Sequence, residues 1–148
     1  MSKKYEFTDE TITINGITLH RIKAVIDFDR FGVKAGDLGG FIEVEANLSH
    51  DGNAWVYGNA NVSGNARVSG NAKIKRSNDY ACVNGFGSVH KNTTFFRCED
   101  NLIRAHCGRF YGTIDEFRAK VKEAHGDSKY AKEYLMIADL MEYHFAED

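Results

Sequence analysis

The residues of this chain best suited to chemistry are its arginines, histidines and cysteines, and their spacing matters more than their number. In NTTFFRC (92–98), β alternation places Phe95 and Arg97 on one face; in NLIRAHCG (101–108) it places Leu102, Arg104 and His106 on one face. Arg109 and Tyr111 follow directly. If the two faces coincide, Phe95, Arg97, Arg104, His106, Arg109 and Tyr111 form one surface. Arginine grips phosphate through two parallel hydrogen bonds and aromatic rings stack on bases, so this set predicts a site for a small, nucleotide-like anion.

Other chemistries fit the residues less well. Cys82, Cys98, His106 and Cys107 are metal-ligand types, but no CxxC or HxxxH spacing occurs, and neighbouring His106 and Cys107 on a strand point to opposite faces. The cysteines read as buried and structural, and no metal or cofactor is expected. The segment GFGSVHKN (85–92) has glycines and a lysine but no helix after it, unlike a phosphate loop. No Ser-His-Asp set is visible, and no catalytic residue is assigned.

Charge is unevenly spread. The net charge of −2 divides into −3 over residues 1–51, +5 over 52–114 and −4 over 115–148. A basic middle between acidic ends favours an anionic ligand there. The positive charge is dispersed along the chain rather than gathered on one helix, so duplex DNA or RNA is not the expected partner. Three unpaired cysteines suit a reducing cytoplasm. MSKKYEFTDE lacks the apolar core of a leader, and no apolar run reaches the roughly 18 residues of a membrane span.

The elements that must position these residues begin with a β-hairpin in residues 11–28. Ile12 and Ile14 alternate with threonine, Asn15-Gly16 suits a type I′ turn, and Ile17 and Leu19 answer across it. KAGDLGG (34–40) then leads into GNAWVYGNANVSGNARVSGNAKI (52–74), where Gly-Asn-Ala returns every six residues. A period of six is neither 2 nor 3.6, so the rungs are expected to stack. Ile42, Leu48, Val56, Val62, Val68 and Ile74 are the inward positions, and Ala46, Ala54, Ala60, Ala66 and Ala72 the small corner positions. Positions 18 apart should stack, Trp55 over Lys73 and Tyr57 over Lys75, all pointing outward.

The Val-x-Gly-Asn-Ala-x pattern resembles the hexapeptide repeat of left-handed β-helices, over about residues 41–75. The whole chain is also similar to a group of small proteins carried by phages and prophages. That likeness rests on AGDLGGFIEVEANLSHDGNAWVYGNA, NTTFFRCEDNLIRAHCGRFYGTIDEF and HGDSKYAKEYL. It implies a setting, the cytoplasm of an infected or lysogenic bacterial host, without implying an activity.

Beyond the repeats, ACVNGFGSV (81–89) and the two arginine-bearing segments read as three strands capping the stack. Thr113-Ile114-Asp115-Glu116 is a capping box opening a helix that buries Ile114, Phe117 and Val121 and stops at His125-Gly126. A second helix, capped by Asp127 or Ser128, runs to about Phe145. One stripe holds Ala131, Tyr134, Leu135, Ala138, Met141 and Phe145; another holds Tyr130, Ile137, Leu140 and His144. The second stripe suggests a homo-oligomer through the C-terminal helices.

The predicted fold is therefore mainly β: a short left-handed β-helix with an opening hairpin, a β cap and two C-terminal helices. Residues 1–112 form the β part and 113–148 the helical pair, packed on the same domain or on a partner subunit. The predicted function is non-enzymatic: counter-defence by sequestering a small nucleotide-like anion. One alternative is an inhibitor or assembly factor gripping a host protein. Another is a degenerate acyltransferase, because hexapeptide β-helices commonly serve acyl transfer with a histidine base, here His50 among His20, His50, His90, His106, His125 and His144. About two coils make a short wall for a coenzyme arm, and no carboxylate partner for a histidine is evident.

Overall fold

A computed structural model describes residues 3–28, 32–87 and 91–146. The hairpin forms as its turn chemistry demands. Strands β1 (Tyr5–Ile14) and β2 (Ile17–Ala24) pair antiparallel, with Asn15 and Gly16 both at positive φ. β1 begins at Tyr5, well before the alternating isoleucines.

The left-handed β-helix does not form. The strands divide among three separate sheets. Strand β3 (Leu38–Ile42) joins the hairpin on one edge and the two-residue strand β5 (Asn61–Val62) on the other, giving the order β1-β2-β3-β5. Strands β4 (Trp55–Val56) and β6 (Lys73–Ile74) make a sheet of their own, and Leu48 meets Val68 in an isolated bridge. The physical reason lies in the repeats. Gly52, Gly58, Gly64 and Gly70 all take positive φ, cutting the block into pieces too short for long ladders. The opening hairpin then takes β3 into a mixed sheet, as β2 pairs it antiparallel and β5 parallel.

The inward residues still share one core. Ile42, Leu48, Val56, Val62, Val68 and Ile74 are buried, with Ala54, Ala60, Ala66 and Ala72. Ala46 is exposed instead, and its neighbour Asn47 turns in. Trp55 does lie beside Lys73 in a parallel ladder, but it does not point outward. It is buried edge-on against Phe28 and Tyr5, and a Cβ on Gly39 would come within 2.7 Å of its ring. The Lys73 ammonium stands over the half-buried Tyr57 ring at 5.7 Å.

Two buried polar side chains hold the bends beyond Ile42 and Ile74. Asn47 Oδ1 accepts from Glu43 and Val44 N–H, while its amide donates to the Gly64 and Ala66 carbonyls. Asp79 Oδ2 accepts from Lys75 and Arg76 N–H in the same manner. Each closes a 3-10 turn, Glu45–Asn47 and Ser77–Asp79.

The third sheet is antiparallel, in the order β10-β9-β8-β7: β7 (Tyr80–Phe86), β8 (Lys91–Arg97), β9 (Ile103–Cys107) and β10 (Phe110–Thr113). β10 is absent from the sequence reading, and residues 88–89 of its first cap strand lie outside the described residues. One face of this sheet packs Phe96, Cys98 and Tyr80 against the repeat core. The other packs Phe95 and Ala105 against helices α1 (Ile114–His125) and α2 (Lys129–Phe145) of the same chain. The capping box is present: Glu116 N–H donates to Thr113 Oγ1 at 3.2 Å and Thr113 N–H to Glu116 Oε1 at 2.8 Å. Ser128 caps α2. Arg118 clips the helices together through Asp139 and Glu142, both at 2.8 Å.

Candidate functional site

Register across the third sheet decides which arginines can meet. β8 and β9 pair Phe95 with Ala105, Phe96 with Arg104, Arg97 with Ile103 and Thr94 with His106. The alternation within each strand is as expected, but the two faces do not coincide. Phe95 and Arg97 share the helix side; Arg104, His106 and Tyr111 share the repeat side, with Tyr111 paired to His106. The six predicted residues therefore form no single pocket.

Each has its own surroundings. Phe95 is fully buried, edge-on to Phe117 at 5.4 Å, and is core. Arg97 donates to Asp79, Asn101 and the Phe145 carbonyl, and so joins a bend, a turn and the end of α2. Arg104 donates from both terminal nitrogens to Asp100, at 2.9 and 2.8 Å. That pairing holds the Asp100 carboxyl below its ordinary range and raises the guanidinium. Tyr111 lies directly against Gly70, where a Cβ would overlap its hydroxyl, and donates to Asn71 Oδ1 at 2.8 Å. These four side chains are structural.

His106 and Arg109 remain, at the tip between β9 and β10. His106 Nε2 donates to the Gly108 carbonyl at 3.1 Å, and Ser69 Oγ lies 3.4 Å from Nδ1. A carbonyl can only accept, so the neutral ring carries its proton on Nε2. Arg109 is exposed.

Sequence reasoning passed over two partners for them. Arg67, in the third repeat, and Lys91, at the start of β8, line with His106 a groove of about 540 Å³ that also presents Asn65, Asn84 and Asn92. No carboxylate lines this groove among the described residues. A second groove of about 350 Å³ is lined by His106, Arg109 and Tyr111 together with Asp51. The side chains of Arg67, Lys91 and Arg109 carry no ion pair or hydrogen bond to any described residue. A signal was present: between Gly52 and Cys98 the only acidic residue is Asp79.

His50 is differently placed from a free base. Its Nδ1 accepts from Lys4 N–H at 3.0 Å, its Nε2 lies 3.0 Å from Glu45 Oε1, and its ring stacks on Tyr5 at 4.1 Å. It thus has a carboxylate partner that the sequence did not reveal, with both nitrogens engaged. Beside it Lys4 is buried, donating to the Ala54 carbonyl at 2.6 Å; burial lowers its pKa to about 8, against the attraction of Asp51. His90 lies outside the described residues.

Among the described residues no three His, Cys, Asp or Glu side chains gather to hold a metal. Cys98 is buried, and burial raises its thiol pKa. No described helix is long and apolar enough to cross a membrane. No protein-family model matches the chain, and no curated protein matches it.

Proposed function

We propose that this protein is a non-enzymatic binder of a small, phosphate-bearing anion of nucleotide-like size. Its site is the groove of Arg67, Lys91 and His106, extended around the β9–β10 tip by Arg109, and not the Arg97–Arg104 surface that the sequence suggested. One contrast carries this reading. Arg97, Arg104 and Arg118 are neutralised by carboxylates, while Arg67, Lys91 and Arg109 meet none among the described residues. Like charges on one wall repel, and an anion bridging them relieves that repulsion. A guanidinium supplies a two-pronged donor and an ammonium a point charge, while the asparagine amides offer hydrogen bonds to the rest of the ligand. The groove volume falls within the range of small-molecule sites. The engagement of both His50 nitrogens supports binding rather than acyl transfer. The likeness to phage-carried proteins motivates the counter-defence setting, and the basic and amide lining of the groove motivates the anion.

Isothermal titration against inorganic phosphate, mononucleotides and cyclic nucleotides tests the proposal. At least one should bind, with affinity falling about tenfold or more in Arg67→Ala and Lys91→Ala and holding in Arg104→Ala, since a charged hydrogen bond contributes about 1.5–3 kcal/mol. No binding heat from any of them, or binding indifferent to Arg67 and Lys91, refutes it.

The exposed stripe of α2 supports self-association. Met136, Leu140 and Tyr143 are 67, 57 and 83% exposed. Ile137, expected on this stripe, is buried, and Met136 and Tyr143 replace it. An antiparallel α2 pair from two copies would cover the stripe. It would also bring the Lys129 and Lys132 end of one helix to the exposed Glu142 end of the other.

A further inference from the structure

Between β10 and the helices lies a cavity of about 220 Å³ whose walls include Phe110, Phe117, Val121 and Tyr134; Lys120 and His125 line it as well, and Lys91 and Arg109 stand in the same lining. We infer that it receives the hydrocarbon arm of an amphipathic anion, with the anionic head between those two cations. The inference rests on the anion reading above and names what the anion carries.

Three observations point this way. The interior is aromatic: Phe117 stands edge-on to Phe110 at 5.8 Å and to Tyr134 at 5.7 Å. Two of its polar groups are already engaged. The Tyr134 hydroxyl donates to the Phe86 carbonyl at 3.1 Å, and the Cys107 sulfur accepts from Thr93 Oγ1 at 3.1 Å. Against Phe110, Phe117 and Val121 a guest's polar edges would go unsatisfied, whereas a hydrocarbon has none to satisfy. Finally, Lys91 lines both this cavity and the polar groove, and Arg109 both this cavity and the second groove. One head group can therefore meet the free cations while its arm enters the apolar space. The volume sets the arm: a cavity of about 150 Å³ holds benzene, so this one suits a fused bicyclic ring or a chain of about six to eight carbons.

The test compares 1-naphthyl phosphate, 1-naphthol and inorganic phosphate by titration calorimetry on the full chain. The naphthyl ester should bind about tenfold or more tighter than phosphate and than naphthol, each CH₂-sized piece buried adding about fourfold in affinity. Ala124→Trp, at an exposed α1 position lining the cavity, should erase the naphthyl advantage and leave phosphate affinity unchanged. Lys91→Ala should weaken phosphate and the ester together. Equal binding of ester and phosphate, lost in Lys91→Ala, overturns this inference and leaves the anion site standing. Equal binding of ester and naphthol with no phosphate binding overturns both. An ester advantage that survives Ala124→Trp, in protein of unchanged circular dichroism, also overturns the inference.

Discussion

Arg97 and Arg104 sit on adjacent strands yet face opposite sides of one sheet, because Arg97 pairs with Ile103 and Arg104 with Phe96. A shift of one residue in that register would have joined them. Each instead neutralises a carboxylate, Asp79 on one side and Asp100 on the other. Arg67, Lys91 and Arg109, which meet no carboxylate among the described residues, line the grooves of the candidate site.

Asp79 anchors a bend and a buried ion pair together. Asp79→Ala removes the acceptor for Lys75 and Arg76 N–H and strands Arg97, and should destabilise by about 3–5 kcal/mol. Asp79→Asn can keep the backbone acceptor, as Asn47 does in the matching bend, and should cost less. Urea unfolding of both variants checks the order.

How far the sequence shows this fold can be judged from particular residues. The hairpin turn, the inward Val, Leu and Ile positions, the Trp55–Lys73 ladder and the helix caps were all readable, because each follows from local pattern. The sheets were not. Their partition depends on β2 capturing β3, a pairing between segments with no shared motif. Trp55 looked exposed because its cover, Tyr5 and Phe28, comes from outside the repeats. The site failed at the β8–β9 register, which the Cys98–Leu102 turn sets and alternation cannot. Arg67 lies in the third repeat, and no local pattern brings Lys91 and His106 to its groove.

Gly70 and Tyr111 are fitted to each other. Gly70 has φ of 66°, and a Cβ there would displace the tyrosine from Asn71. Gly70→Ala should cost about 2–3 kcal/mol, combining left-handed strain with a lost hydrogen bond. In a Tyr111→Leu background the added cost should shrink by about 1 kcal/mol. A double-mutant cycle by denaturant titration measures this coupling.

Lys4 gives stability an alkaline slope. Its folded pKa of about 8 lies below the ordinary 10.5, so between those values the unfolded chain binds the extra proton and stability rises with pH. From pH 7.5 to 9.5 the rise from this group should approach about 2 kcal/mol. Asp51 moderates the shift. Above pH 10, Tyr5 and Tyr57, whose pKa values burial raises, work in the opposite direction: they keep a proton that the unfolded chain releases. The slope should flatten in Lys4→Met, measured by urea unfolding at several pH values.

The α2 stripe should hold two copies together. Sedimentation velocity is expected to show a dimer that Leu140→Lys converts to monomer. Lys122→Ala, on the exposed part of α1, should leave it intact.

The most direct test of the central claim is an amide NMR titration with inorganic phosphate. Shifts should concentrate at Arg67, Lys91, Gly108 and Arg109, disappear in an Arg67→Ala/Lys91→Ala double variant, and spare Arg97 and Asp100. Shifts centred on Arg97 and Asp100, or none at millimolar phosphate, would contradict the account.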